Sequence, residues 1–295
     1  MSDYTEILYE KQRNGVLITI NRPQVMNAIS PTVQTEMHAA FKEAVADPEV
    51  RAIVLTGAGR AFSAGMDQGP KPGRRRDLEW PYGVPTGQAA ADWIDSWRGE
   101  GNRFLPIWEL EKPIIGAING WAMGAGSWLA LCTHITIASE NAVFAQPEVR
   151  HGSNTSFLWT LMAGVKNSLR YGLVGDHIDA QEALRIGLVV KVVPHDELLD
   201  ECFNLVERIA HVPPETIKIN LAIATMGLEM MGLRDALMLD AQFSAPAHVM
   251  LREEFRKPLN DARAKNIREY LQLRDGPFQP EPFGPRSKPK ESKSQ

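Results

Sequence analysis

Two short turns built from small residues are the part of this sequence best suited to bind a developing negative charge. They span Ala64 to Asp67 and Gly124 to Gly126. Turns of this composition let the backbone approach a ligand closely, and N–H groups at a helix start favour an anion. Removing one such donor from an oxyanion site costs about 2.7–4 kcal/mol. The turns therefore predict a site for a carbonyl oxygen that gains negative charge, unless their glycines only permit tight packing.

A carboxylate for proton transfer is offered by Glu148, which follows Gln146 and Pro147. A carboxyl group in a partly dry site has its pKa pushed toward neutrality, as general acid–base catalysis requires. His151, with an ordinary pKa of about 6.5, is a second candidate for proton transfer. The alternatives are a solvated loop glutamate for Glu148 and a structural or surface histidine for His151.

The overall composition does not favour a nucleic-acid or membrane binder. Hydrophobic residues form 44% of the 295 residues and the formal net charge is −4, whereas such binders need an excess of Lys and Arg. No apolar run reaches the roughly 18 residues of a membrane span, and the N-terminus lacks the features of a targeting signal. Cys132 and Cys202 have apolar neighbours, which predicts buried thiols rather than a disulfide. Together these features predict a cytoplasmic protein.

Strands alternate with helices over most of the chain, which predicts α/β layers. The turn Arg13 to Gly15 predicts a hairpin, and Ser30 and Pro31 predict the N-cap and first residue of a helix that ends near Ala46. Further buried strands are predicted at 51–56, 112–118, 135–138 and 188–193, helices at 89–110 and 179–187, and a turn into a helix at 120–126. The pattern is helical from about residue 196 to 273, and the Pro-, Lys- and Ser-rich remainder predicts a disordered tail.

Five segments, in order along the chain from about residue 5 to 260, resemble the crotonase (enoyl-CoA hydratase/isomerase) family. The first three contain Asn21-Arg22-Pro23, Phe62-Ser63-Ala64-Gly65-Met66-Asp67 and Asn119-Gly120-Trp121-Ala122-Met123-Gly124-Ala125-Gly126. The last two are Gln146-Pro147-Glu148 and the helix–strand unit at 179–194. Each motif is weak alone, and the resemblance rests on all five in register.

The resemblance implies a crotonase-like spiral of ββα units over residues 1–200, a helical C-terminal region over 201–273 that supports trimers or dimers of trimers, and a tail over 274–295. It implies an acyl-CoA substrate, an oxyanion hole formed by the N–H groups of Met66 and Ala125, and Glu148 as acid/base. The resemblance implies no cofactor beyond the coenzyme A of the substrate, and no metal is predicted, because the histidines show no metal-ligand spacing and the two cysteines are far apart. The residues expected to contact coenzyme A or the acyl group are Ala28, Ala64, Asp67, Gln68, Trp128 and His151.

Trp128 departs from the family pattern. Many hydratases of the family carry a first glutamate two residues after the glycine-rich turn, and an indole can donate a hydrogen bond but cannot accept a proton. Conventional hydration by paired glutamates is therefore not expected. Double-bond isomerisation and the hydratase-lyase reaction on hydroxycinnamoyl-CoA remain, because both can be written with one carboxylate, and atypical hydration stays open as a further alternative. Trp128 itself is either pocket wall or core.

Three further functions are alternatives to these reactions. Because the first glutamate is missing, the chain is alternatively a catalytically silent acyl-CoA-binding scaffold. A CoA-ester hydrolase is the second alternative. Binding to RNA, known for some crotonase folds, fits poorly with the net charge of −4. The basic run Arg74 to Arg76, inside the Pro- and Gly-rich stretch 69–87, either contacts the coenzyme A phosphates or forms a solvated loop face.

Overall fold

The computed structural model describes residues 4–67, 106–152, 156–237 and 251–284, together with residues 104, 239 and 243. The strands are β1 Ile7–Gln12, β2 Gly15–Ile20, β3 Ala52–Gly57, β4 Ala61–Ser63, β5 Ile114–Ile118, β6 Trp121–Met123, β7 Ile135–Ser139, β8 Val143–Ala145, β9 Ile178–Asp179 and β10 Lys191–Val193. The longer helices are α1 Pro31–Ala46, α2 Ala125–Cys132, α3 Phe157–Gly172, α4 Ala180–Arg185, α5 Leu198–Ala210, α6 Pro214–Met230, α7 Glu253–Lys265 and α8 Ile267–Asp275.

The first elements follow from local turn and cap chemistry. Arg13 and Asn14 have φ values of 47° and 59°, the left-handed pair that a two-residue hairpin turn requires. In α1 the Ser30 hydroxyl accepts a hydrogen bond of 3.0 Å from the Val33 N–H, and Pro31 occupies the first helical position, where its missing N–H costs nothing. The predicted hairpin and the predicted start of this helix are both confirmed.

The strands form two sheets that the chain visits in turn. The larger sheet has the order β1-β2-β3-β5-β7-β10 and is parallel except for β1, and the smaller has the order β4-β6-β8-β9. In each of the consecutive pairs β3/β4, β5/β6 and β7/β8, the first strand joins the larger sheet and the second joins the smaller one. Helix α2 follows the second of these pairs and α3 the third. This repetition is the predicted spiral of ββα units.

The hydrophobic core lies on both faces of the larger sheet. One face packs with α1, α2 and the smaller sheet around residues such as Phe41, Phe62 and Trp159. On the other face, Cys202 and Phe203 of α5 cover Val54 of β3 and its neighbours. Cys132 and Cys202 are buried free thiols, as predicted. In the part of the chain that the structure describes, no helix is long and apolar enough to cross a membrane.

Three boundaries differ from the sequence-based expectations. The segment predicted as a turn before α2 contains the three-residue strand β6, and β10 is shorter than the strand predicted at 188–193. Residues 275–284, expected to belong to a disordered tail, carry the buried side chains of Asp275 and Glu281. Both carboxylates are held by arginine, a tertiary contact that composition does not reveal. The basic run Arg74 to Arg76 and residues 89–103 of the helix predicted at 89–110 lie outside the described residues.

His134 makes the fold sensitive to acid. Its Nδ1 accepts a hydrogen bond of 3.0 Å from the Ile114 N–H, and burial lowers the pKa of its imidazole to about 4. Because the unfolded state binds the proton more readily, we expect its contribution to stability to be complete above pH 6.5 and lost as the pH falls toward 4. A shift of this size corresponds to roughly 3 kcal/mol in the free energy of unfolding.

The test is urea unfolding at pH 7 and pH 4.5 of the wild type and of His134→Asn, whose amide oxygen can still accept the Ile114 N–H. The variant is expected to lose less stability between the two pH values than the wild type. Equal losses in the two proteins would show that another group causes the acid sensitivity.

Candidate active site

The first small-residue turn is fixed by a β-bridge between Met66 and Ile29. The Ile29 N–H donates to the Gly65 carbonyl at 2.8 Å, and the Asp67 N–H donates to the Ile29 carbonyl at 3.1 Å. In a parallel pairing, a residue bracketed in this way turns its own N–H to the opposite edge. The Met66 N–H therefore points away from Ile29. Gly65, with φ +91°, supplies the backbone conformation that this geometry needs.

The second small-residue turn starts α2. Ala125 is the first residue of the helix and Gly124 its N-cap, so the helix itself has no acceptor for the Ala125 N–H. A Cβ on Gly65 would lie 3.3 Å from the Ala125 nitrogen, and one on Gly126 would lie 2.2 Å from the Ser63 carbonyl oxygen. Glycine at these positions is thus what allows the two turns to meet. Their meeting brings the backbone of the first turn to the N-terminus of α2, an arrangement that is suited to an oxyanion.

Glu148 lies on the 3-10 helix Pro147–His151, which follows β8. A Cβ placed on Gly124 would lie 1.9 Å from the Glu148 Oε1 atom, so the carboxylate sits directly against the backbone of the second turn. The Oε2 atom is buried and has no hydrogen-bond partner within the described residues. Burial raises the pKa of Glu148 to about 7, against smaller opposing effects of its own backbone N–H and of Arg274.

Trp128 is buried in the core and contacts the Glu148 segment through Gln146. The indole Nε1 donates to the Gln146 Oε1 at 3.0 Å, and the Ser156 N–H donates to the same oxygen at 2.7 Å. Of the two interpretations of Trp128, pocket wall or core, the structure favours the core: its side chain is 6% exposed. Its hydrogen bond fixes the residue that leads into the 3-10 helix of Glu148.

An ion-pair cluster supports the Met66 turn from outside. Asp67, expected among the substrate contacts, has its Oδ2 2.8 Å from the Nη1 of Arg22. The same guanidinium donates to the Ala28 carbonyl at 2.7 Å and its Nε lies 3.0 Å from Glu6 Oε1. These contacts tie the Asp67 end of the turn, through Arg22, to the Ala28 backbone beside it and to Glu6 just before β1. Asp67 thus supports the turn within the fold.

A buried arginine joins the Glu148 segment to the C-terminal residues. The Arg150 side chain has no exposed surface and lies 3.2 Å from Asp176, 3.2 Å from Asp275 and 2.8 Å from Glu281. Its guanidinium also lies 4.1 Å from the centre of the Phe278 ring. A buried cation is tolerated only when it is paired in this way. The segment from Asp275 to Glu281 is therefore held at a residue two positions from Glu148.

Helix α8 adds two polar side chains on the same side. The Tyr270 hydroxyl lies 3.0 Å from the His151 Nδ1, and Arg274, one turn further, forms a two-pronged pair with Asp275 at 2.8 and 2.9 Å. The Arg274 cation lowers the pKa of Glu148, although burial has the larger effect. His151 is therefore engaged with α8, which the sequence did not indicate.

The remaining predicted contacts fall around the two turns. Ala28 is buried, and its carbonyl accepts from Arg22. Ala64 is exposed, and its N–H donates to the Met26 carbonyl at 2.8 Å. Gln68 lies outside the described residues. The sequence analysis did not identify Gln146, Arg150 and Arg274 as parts of the site. The available signals were weak: Gln146 and Arg150 are each two residues from Glu148, and Arg274 is a basic residue at the end of a helix.

Metal ligation has no support in the described ranges, where no group of three or more His, Cys, Asp or Glu side chains is placed to hold an ion. The two turns and Glu148 offer oriented backbone dipoles and one carboxyl group, a combination that is suited to stabilising an enolate oxygen and to moving a proton next to it.

The fold is found among solved structures. An enoyl-CoA hydratase/isomerase from Xanthobacter autotrophicus Py2 superposes with a TM-score of 0.81 at 28% identity, over 93% of this chain and 99% of that one. A monofunctional enoyl-CoA isomerase from M. smegmatis superposes with a TM-score of 0.59 at 28% identity, over 76% of this chain and 94% of that one. The architecture is thus that of the crotonase fold.

Sequence comparisons agree with the fold. A family model for enoyl-CoA hydratase/isomerase matches residues 10–254. A probable enoyl-CoA hydratase of Rhizobium meliloti is 37% identical over 211 residues, which are 70% of this chain and 76% of the relative. The (E)-benzylidenesuccinyl-CoA hydratase of Thauera aromatica is 32% identical over 229 residues, which are 76% and 84% of the two chains. The chain belongs to the enoyl-CoA hydratase/isomerase family of enzymes, which act on coenzyme A thioesters.

The contact between Glu148 and Gly124 can be tested by adding one methyl group. Gly124→Ala puts a carbon atom where the Glu148 Oε1 lies, so we expect the carboxylate to move and kcat to fall by about 100-fold, as for other misplaced catalytic groups. Gly164→Ala is the matched control, because Gly164 also has positive φ but nothing lies within 4 Å of its added Cβ. Similar losses of kcat in both variants would show that the close contact between Gly124 and Glu148 is not what activity depends on.

The Arg150 cluster can be tested by removing its cation. Arg150→Met removes the cation that Asp275 and Glu281 share, although Asp275 keeps Arg274 and Glu281 keeps its hydrogen bond from the His177 N–H. We therefore expect the free energy of unfolding in urea to fall by about 3 kcal/mol, the low end for a broken buried ion pair. Arg170→Met is the control, because Arg170 pairs with the same Asp176 from a half-exposed position. Its loss should stay below about 1 kcal/mol. Equal losses would show that Arg150 has no special part in holding the C-terminal segment.

Proposed function

We propose that this chain isomerises the double bond of an enoyl-CoA thioester, with Glu148 as the single acid/base and the N–H groups of Met66 and Ala125 as the oxyanion hole. The family membership supports the CoA thioester as substrate, and the meeting of the two turns beside Glu148 supports the assignment of these groups. Met66 and Ala125 each contribute a backbone donor, so their side chains are not part of the chemistry.

The reaction needs one proton carrier and no net change in composition. The Glu148 carboxylate removes a proton from the carbon between the thioester and the double bond, and the electron pair shifts to give a dienolate. The thioester oxygen carries the negative charge, which the two N–H groups stabilise. The protonated Glu148 then returns the proton to the far end of the conjugated system. The carboxylate is regenerated, and no water is consumed.

The observation that carries this proposal is the indole at position 128. Hydration by paired glutamates needs a second group that handles protons, and an indole N–H can only donate a hydrogen bond. The Trp128 N–H is moreover engaged with Gln146. Among the residues that the structure describes, the carboxylate against Gly124 of the second turn is that of Glu148, with a pKa of about 7. Such a group both accepts and returns protons readily near neutral pH.

Replacement of the carboxylate tests the proposal. Glu148→Gln is expected to lower kcat for conversion of 3-enoyl-CoA to 2-enoyl-CoA by about 10²–10⁴-fold, because the amide cannot take up the proton. Since the ionised carboxylate is the base, kcat/KM of the wild type should rise with pH through about 7. Chromatography of the two isomers gives both quantities, and Glu197→Gln, at an exposed glutamate, should leave kcat unchanged.

The same assay separates the competing reactions by product mass. An unchanged mass with a moved double bond supports isomerisation, one added water indicates atypical hydration, a split acyl chain indicates the hydratase-lyase reaction, and free coenzyme A indicates a hydrolase. Acyl-CoA binding without any product from a panel of aliphatic and aromatic enoyl-CoAs would favour the silent scaffold. Full activity in Glu148→Gln would refute the role of the carboxylate.

We also propose that the chain forms the homotrimer or dimer of trimers expected from the family. Helix α6 supports this, since it has no buried residue in the single chain. Its exposed side chains include Ile219, Ile223, Met226 and Met230, the last with 84% of its surface accessible. A contiguous apolar face of this kind is typical of a protein–protein contact.

A further inference from the structure

The orientation of the Gln146 side chain is fixed by two donors. Its Oε1 accepts hydrogen bonds from the Trp128 indole at 3.0 Å and from the Ser156 backbone N–H at 2.7 Å. Both of these groups are donors only, so the atom between them must be the amide oxygen. The amide nitrogen of Gln146 therefore points away from both.

That nitrogen is a buried donor without an acceptor. Gln146 is 2% exposed, and its Nε2 has no hydrogen-bond partner among the residues that the structure describes. Unpaired buried donors are rare in native proteins and call for an explanation by a ligand or an ordered water. The Oε2 of Glu148, two residues along, is buried and unpaired in the same way.

Both side chains lie against the first turn of α2. The Glu148 carboxylate contacts Gly124, and the Gln146 amide contacts Trp128. Positions four apart on a helix share one face and are neighbours on its surface. In addition, the Gly124 N–H donates to the Ala145 carbonyl at 2.9 Å, which holds the backbone before Gln146 to the oxyanion turn. Gln146 therefore stands beside the proposed reaction site.

We propose that the Gln146 Nε2 donates a hydrogen bond to an oxygen atom held beside Glu148, which is either an oxygen of the acyl group or a bound water. This inference rests on the proposed function, because that function places the acyl group against Gly124. Trp128 has a direct part in it, because its indole N–H holds the amide in the orientation that presents the donor. The bound oxygen must be an acceptor, so a ketone is the simplest probe of an acyl oxygen.

The decisive variant is Gln146→Glu, studied at pH 9 because burial raises the pKa of a carboxyl group. Once ionised, the carboxylate retains an oxygen for Trp128 and Ser156 but replaces the donor with a second acceptor. Binding is measured by calorimetry with saturated acyl-CoAs and with matched oxoacyl-CoAs that carry a ketone at carbon 3, 4 or 5. If the oxygen belongs to the acyl group, the wild type should bind one of the ketones at least about 10-fold more tightly than its parent. Gln146→Glu should lose that preference.

The second arm tests water as the source of the oxygen. If Nε2 holds a water, neither protein distinguishes ketones from parents. In ¹⁸O-labelled water, the wild type should then form a measurable fraction of hydrated product from an enoyl-CoA. Gln146→Glu should lower that fraction by about 10-fold relative to isomerisation. The inference is wrong if a folded Gln146→Glu protein retains the wild-type ketone preference and the wild-type product ratio.

Two further variants serve as controls. Trp128→Phe leaves Gln146 itself unchanged, and Glu148→Gln separates binding by Gln146 from the assignment of the reaction. Trp128→Phe fills the core but removes the indole N–H, so the amide of Gln146 can rotate and the ketone preference or hydrated fraction should fall in part. Glu148→Gln removes turnover but leaves the Gln146 donor in place. A ketone preference that survives in Glu148→Gln shows that the donor acts without the carboxylate, even if the isomerase assignment fails.

Discussion

The contact between the Glu148 carboxylate and the backbone of Gly124 is the constraint on which the site depends. A carboxyl group can reach the start of α2 only because Gly124 lacks a Cβ. Burial of the carboxyl group raises its pKa to about 7. The buried position therefore determines the proton affinity of the group, and the contact with Gly124 places it one residue from the Ala125 N–H. Geometry and acid–base chemistry are not separate properties of this site.

Charged clusters support the Met66 turn on one side and the Glu148 segment on the other. Arg22 binds Asp67 and the Ala28 carbonyl and thus supports the Met66 turn. Arg150 is buried among carboxylates from the C-terminal segment and supports the 3-10 helix of Glu148. Buried ion pairs contribute little net stability, but each requires its partners to be in place. Because the partners must be in place, the two clusters connect the site to Glu6 before β1 and to residues 275–281 after α7.

The sequence predicted those parts of the structure that local chemistry determines. The left-handed turn at Arg13 and Asn14 and the cap at Ser30 depend on neighbouring residues, and the structure has both. The strands of the smaller sheet are two or three residues long, too short to show periodicity. The Arg150 cluster joins residues more than 100 positions apart, and the Pro- and Lys-rich composition after residue 274 concealed the buried Glu281. The position of Glu148 could be predicted, but its contact with Gly124 could not.

The indole at position 128 changes the chemistry of the site in two linked ways. Where many hydratases of the family carry a glutamate, the indole cannot exchange a proton. Glu148 is then the carboxylate that lies against Gly124 in the described part of the chain. The indole also gives Gln146 a donor where a carboxylate at position 128 would have been an acceptor, so the amide must present its oxygen to the indole and its nitrogen elsewhere. The site thus loses an acid/base group and gains an oriented neutral donor. A neutral donor binds oxygen without accepting a proton. In the proposed mechanism it therefore influences which substrate is bound, while Glu148 alone transfers the proton.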